Sequence, residues 1–166
     1  MVPGPASCDV ELEGSPTAAG FRFAIIVPRF NAEVTDGLLR GARAALAEAA
    51  VHEDDITLVH IPGAFEIPLT ALRLAQTRRF DAVIALGCLI KGDTMHFEYI
   101  AAAAAHAIIE ASLATGVPIA FGVLTTLTDE QAIQRAADGP GNKGGEAARA
   151  AIEMVTLFRR IPVEKS

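Results

Sequence analysis

The run Lys91-Gly92-Asp93-Thr94-Met95-His96 places an ammonium, a carboxylate, a hydroxyl and an imidazole around one glycine. Gly92 lets the backbone approach a ligand closely. Asp93 or Thr94 is suited to cap a following helix. The free N–H groups of such a helix start favour an anion such as phosphate. The imidazole of His96, with its near-neutral pKa, suits proton transfer. Asp93 works against an anion unless its carboxylate points away. The plain alternative is a capped helix beside a surface histidine.

Other side chains add to this inventory. Phe30-Asn31 offers a ring to stack on a planar ligand and a hydrogen-bonding neighbour, or else a Phe that closes the core. Glu66, just past Pro62-Gly63-Ala64-Phe65, can accept from ligand hydroxyls or simply favour a helix start. Arg135 and Lys143 flank the turn 138–142, and either can pair with phosphate or remain a solvated helix charge. Cys88 reads as a small apolar residue rather than a nucleophile. His52, His60 and His106 have no metal-ligand spacing, and no phosphate-binding glycine loop or nucleophile elbow occurs.

The elements that must position these groups follow from periodicity. Apolar, strand-like runs cover 21–27, 56–61, 82–86 and 119–124, the third ending at Gly87. Helical spacing covers 36–50, 67–76, 97–115, 129–137 and 145–160. The segment Asn142-Lys143-Gly144-Gly145 is too rich in glycine for a helix interior and suggests a kink or a second start. Alternation of strands and helices implies crossovers and a parallel sheet, and continuously apolar strands imply cover on both faces. The expected fold is α/β, a three-layer α/β/α sandwich on a four-stranded parallel sheet. The expected organisation is an arm at 1–20, one domain at 21–160 and a tail at 161–166. The arm is read as loosely ordered, with a short strand over 10–12. In an open parallel sheet, ligands bind beyond the carboxyl ends of the strands. The four post-strand segments, with Phe30, Asn31, Glu66 and the run Lys91 to His96, therefore gather at one rim.

Composition narrows the function. Apolar residues make up 51% and charged residues 20%, as in an ordinary globular chain. The net charge of −6 argues against a nucleic-acid or polybasic membrane surface, while leaving room for a local anion pocket. The two cysteines, Cys8 and Cys88, form no disulfide framework, so a reducing, cytoplasmic setting is expected. The first residues show no secretory signal, and the alanine-rich run 99–109 is too short to span a bilayer.

Five motifs occur in order across 21–160. They are Phe30-Asn31; Pro62-Gly63-Ala64-Phe65-Glu66-Ile67-Pro68; Gly87 to Ile100; Phe121-Gly122-Val123-Leu124-Thr125-Thr126; and Glu130 to Ala136 followed by Gly141-Asn142-Lys143-Gly144. In this register the chain resembles the 6,7-dimethyl-8-ribityllumazine synthase family. The resemblance implies a flavodoxin-like fold and a transferase of riboflavin biosynthesis, without metal or cofactor. Its reaction condenses 5-amino-6-(D-ribitylamino)uracil with 3,4-dihydroxy-2-butanone 4-phosphate. A non-catalytic flavin- or lumazine-binding or shell-forming homologue is the alternative.

By the same resemblance, Phe30 stacks on the pyrimidine beside Asn31, and Ala64, Phe65 and Glu66 surround the ribityl chain. Cys88, Leu89 and Ile90 edge the pyrimidine through backbone groups. Gly92, the N–H of Asp93 and Thr94 hold the butanone phosphate, and His96 transfers protons. Phe121 and Arg135 come from a neighbouring subunit, Arg135 onto the phosphate, and Lys143 is a further site lysine. The implied assembly is a homopentamer, alone or within an icosahedral shell, with the arm adding a strand to the adjacent sheet. Lys91 and Asp93 stand where many relatives carry Arg and a small residue. The turn Gly139-Pro140-Gly141 departs from the lysine-bearing turn of shell-forming relatives.

Overall fold

A computed structural model describes residues 10–162. Four parallel strands, β1 (Phe23–Pro28), β2 (Ile56–Ile61), β3 (Ala82–Ile90) and β4 (Ile119–Thr126), lie in the order β2-β1-β3-β4. Every residue of β1 is buried, which accounts for its unbroken apolar run. Side chains of a strand point alternately to opposite faces. Accordingly Phe23, Ile25 and Val27 meet one core and Ala24 and Ile26 the other.

The first core is closed by α1 (Ala32–Glu48), α4 (Asp129–Ala136) and α5 (Lys143–Phe158), through Leu38, Leu46, Ala132, Ala148 and Ile152. The second is closed by α2 (Ile67–Gln76) and α3 (His96–Thr115), through Ile67, Ala71 and Ile108. The three-layer α/β/α expectation therefore holds. β1 connects outward to β2, and the chain then crosses back to β3 on the other side of β1. The sheet thus has its topological switch between the carboxyl ends of β1 and β3, the place where such sheets hold ligands.

Several boundaries differ from the sequence expectation. α1 begins at Ala32 rather than at 36. Thr35 is buried, and its hydroxyl donates to the Pro28 carbonyl at 3.0 Å, which draws the helix back onto the strand end. β3 does not stop at Gly87 but continues to Ile90, with Gly87 to Ile90 paired to Val123 to Thr126 of the likewise extended β4. Gly87 serves packing here: a Cβ would stand 3.0 Å from Ile67 Cδ1.

α5 begins at Lys143, with Gly144 and Gly145 inside its first turn. A Cβ on Gly144 would run into the Leu38 carbonyl, so the glycine permits close contact between α5 and α1. The preceding Asn142 is 2% exposed. Its Oδ1 accepts from the N–H groups of Gly144 and Gly145, at 2.9 and 3.0 Å. Its Nδ2 lies 3.0 Å from the Gly37 carbonyl and 2.9 Å from that of Ala136. One side chain therefore joins α1, α4 and α5.

The loose-arm expectation is corrected for its later half. The Ser15 N–H donates to Thr156 Oγ1 at 2.7 Å. The Ala18 N–H donates to the Ala49 carbonyl at 2.8 Å, and Ala18 is buried. Residues 10–12 form no strand in the single chain. Residues 1–9 of the expected arm, with Cys8, and 163–166 of the expected tail lie outside the described residues. α3 runs for 20 residues, and by length and composition it suffices to cross a bilayer, with 17% of that stretch buried. Its exposed side carries Tyr99, Ile109 and Leu113 beside His106 and Glu110.

Candidate active site

The end of β1 is tied to the end of β2. The Arg29 N–H donates to the Ile61 carbonyl at 2.8 Å and the Phe30 N–H to the Pro62 carbonyl at 3.2 Å. These bonds set Phe30 beside the segment Gly63 to Glu66. The ring of Phe30 does not close the core: it is 71% exposed. Asn31 follows in the left-handed conformation, φ 57° and ψ 47°, which asparagine tolerates better than most residues. It caps α1 with backbone only. Its side chain instead donates to the Cys88 carbonyl at 3.0 Å, bridging β1 and β3 at the switch point.

A cavity of about 790 Å³ opens there. It gathers Phe30 and Asn31 from the end of β1, Ala64, Phe65 and Glu66 after β2, and Leu89 and Ile90 from β3. Gly92, Thr94 and His96 line its third side. Ten of the fifteen residues expected at the site thus share one hollow. Its volume is in the range of small-molecule sites. Glu66 Oε2 accepts from the Gly63 N–H at 3.0 Å, which fixes the carboxylate at the rim.

Two expected residues sit beside the hollow rather than on its wall. Cys88 is 3% exposed, beneath the cavity, and contributes through the carbonyl that Asn31 holds. Burial, and next the Asp129 carboxylate, push its thiol up from the ordinary 9.0 to about 11, which suits a packing residue and not a nucleophile. Asp93 is exposed and does not line the cavity. The expectation that Asp93 or Thr94 caps α3 is corrected: the N-cap is Met95, without a side-chain bond. His96 is the first residue of the helix proper, so the first-turn N–H groups of α3 lack a side-chain cap beside the imidazole.

The remaining three residues lie elsewhere. Phe121, Arg135 and Lys143 line a second hollow, of about 430 Å³, along the edge strand β4. Phe121 is 48% exposed. The Arg135 guanidinium donates to the Gln131 carbonyl of its own helix at 3.0 Å. Lys143 pairs with Glu146 at 2.8 Å. The larger cavity of a single chain therefore does not hold Phe121, Arg135 or Lys143, the first two of which the resemblance assigns to a neighbouring subunit. Among the described residues no lysine or arginine lines the larger cavity, and two of its residues, Glu66 and Asp129, are acidic.

Sequence reasoning missed Gly63, Phe97, Ile100 and Asp129 as lining residues. Phe97 and Ile100 share the cavity side of α3 with His96, and helical spacing from His96 is the signal that finds them. Asp129 follows the carboxyl end of β4, where the strand-end rule already pointed.

Comparison with known proteins identifies the family. The family profile described as 6,7-dimethyl-8-ribityllumazine synthase matches residues 20–159. A curated relative from Syntrophus aciditrophicus (strain SB), named 6,7-dimethyl-8-ribityllumazine synthase, is 54% identical over 149 residues, spanning 90% of this chain and 97% of the relative. With the sheet order, the switch-point cavity and a match over nearly the whole domain in agreement, the chain belongs to the 6,7-dimethyl-8-ribityllumazine synthase family.

Proposed function

We propose that this chain catalyses the condensation of 5-amino-6-(D-ribitylamino)uracil with 3,4-dihydroxy-2-butanone 4-phosphate. The products are 6,7-dimethyl-8-ribityllumazine, phosphate and water, as in a transferase of riboflavin biosynthesis. Family membership supports this reading. So does the cavity, which offers an exposed ring at Phe30, acceptors at Asn31 and Glu66, an uncapped helix start and the His96 imidazole. In the reaction an amine attacks a ketone, water leaves to give an imine, phosphate is eliminated, and the second amine closes the ring on the remaining carbonyl with loss of a second water. Each step moves protons on substrates held side by side. Positioning, a phosphate clamp and one proton shuttle are therefore what the protein must supply.

In this reading Phe30 stacks on the pyrimidine and Asn31 adjoins it. Ala64, Phe65 and Glu66 surround the ribityl chain, and Leu89, Ile90 and the Cys88 carbonyl edge the ring. Gly92, the Asp93 N–H and Thr94 hold the phosphate, and His96 carries the proton.

The observation that carries the assembly part of the reading is that no lysine or arginine among the described residues stands on the cavity wall. A phosphate ester needs one, and Arg135 and Lys143 lie in the separate hollow with the exposed Phe121. A second copy that sets its β4 edge over the cavity of the first completes the site. Closed repetition of that contact gives a ring, here a homopentamer, alone or as the unit of an icosahedral shell. The apolar exposed side of α3 is a further surface for such a contact. The reading includes a cytoplasmic location and neither nucleic acid nor membrane as partner.

Subunit mixing tests it. His96→Ala and Arg135→Ala proteins are each assayed for lumazine formation, then unfolded and reassembled together. If sites are shared, about a quarter of them regain both residues by random assortment around a ring. No recovery, from variants that each assemble, would place both residues in one chain's site and defeat the shared-site reading. Wild-type protein with no rate above the spontaneous reaction would defeat the enzymatic one.

A further inference from the structure

The start of α3 follows closely on the end of β3. The Lys91 N–H donates to the Thr126 carbonyl at 2.8 Å, closing the β3–β4 ladder. The helix then begins after Met95, which has no side-chain cap. Across this gap Lys91 Nζ lies 3.3 Å from Glu98 Oε1. The second oxygen, Glu98 Oε2, is sealed from solvent and has no hydrogen-bond partner.

Glu98 is the third residue of α3. A glutamate in that position ordinarily folds back to accept from the N-cap N–H. Glu66 shows that behaviour in this same chain, accepting from the Gly63 N–H at 3.0 Å. Glu98 does not: its carboxylate goes to Lys91 and leaves the helix start open.

We propose that Lys91 is a positioning residue for the anionic substrate. By pairing with Glu98 it keeps the chain's own carboxylate off the N-terminal N–H groups of α3, which the phosphate then occupies. This rests on the reading of the α3 start as the phosphate position. Without Lys91, Glu98 becomes a tethered anion competing for the same donors. A tethered group competes at high effective concentration, and the helix dipole favours it as it favours phosphate.

The test uses the intact oligomer and two probes, inorganic phosphate by calorimetric titration and the butanone phosphate by steady-state kinetics. Lys91→Met is expected to weaken phosphate binding and raise KM for the butanone phosphate about tenfold, the scale of a first-turn charge on a helix start. KM for the pyrimidine stays within about twofold, since the ring contacts do not involve this pair. Lys91→Arg keeps the pairing and the wild-type values. The double variant Lys91→Met/Glu98→Ala regains phosphate affinity, because the competitor is gone. A Lys91 that merely holds the loop in place predicts no such recovery. Unchanged phosphate affinity in Lys91→Met, or a double variant as weak as the single one, overturns the inference. Lumazine formation by the wild type is scored separately: its absence fails the enzymatic reading, while the phosphate series still decides the role of Lys91.

Discussion

The Asn31 amide donates to the Cys88 carbonyl at 3.0 Å, so one hydrogen bond spans the switch point between β1 and β3. It holds together the strand end that presents Phe30 and the strand end that leads to Leu89, Ile90 and the loop 91–95. The bond exists because Asn31 takes a left-handed turn directly after the strand.

That relationship predicts the behaviour of two substitutions. Asn31→Ala loses the donor and also strains the backbone, at about 1–2 kcal/mol for a left-handed alanine and about 1 kcal/mol for the bond. Asn31→Gly keeps the turn and loses only the bond. Urea unfolding should therefore rank wild type above Gly and Gly above Ala. Both variants should raise KM for the pyrimidine. Equal stability of Ala and Gly would show that the turn carries no strain.

His96 and Arg135 should separate in kinetics. His96→Ala is expected to lower kcat about 10–100-fold, at or below the usual general acid–base contribution because the reaction has a substantial spontaneous rate, with phosphate affinity kept. Arg135→Ala should instead raise KM for the butanone phosphate about tenfold or more, through lost charge-assisted hydrogen bonds. A wild-type kcat in the first variant removes His96 from proton transfer. An unchanged KM in the second removes the clamp.

The glycine pair at the start of α5 makes a sharper stability prediction. Gly144→Ala drives a methyl into the Leu38 carbonyl, a backbone atom with little freedom to yield. Thermal or urea unfolding should show a loss of about 3 kcal/mol. Gly145→Ala meets its nearest neighbour, the Gly41 carbonyl, at 3.2 Å and should lose at most about 1 kcal/mol. If the two variants match, close contact at Gly144 is not what the glycine serves.

Cys88 gives a pH prediction with a definite sign. Its thiol ionises near 11 in the fold against an ordinary 9.0, because burial and the Asp129 charge disfavour the thiolate. The unfolded chain therefore releases this proton first. The stabilising contribution of the neutral thiol is complete below pH 9.0 and fades as pH rises towards 11. Alkylation of native protein at pH 8 should be far slower than that of the urea-unfolded chain. In Cys88→Ala the decline of stability above pH 9 should be smaller than in wild type.

The alternation of apolar strand runs with helical spacing was enough to read the layered fold, because a two-sided parallel sheet requires that pattern. The ordered motifs were enough for the family, and the strand-end rule placed Phe30, Glu66 and His96 on one hollow. Three matters were decided only in space. Gly87 reads as a breaker locally, yet Ile67 and Val123 press where its side chain would be, and the strand runs on. Gly144 and Gly145 read as a kink or a second helix start, and it is α1 lying against them that makes them the opening of α5. Phe121, Arg135 and Lys143 follow the other motifs along the chain, yet β4 is the sheet's edge and sets them on a separate hollow. Sequence order records which residues are present, whereas strand order across the sheet decides which of them meet within one subunit.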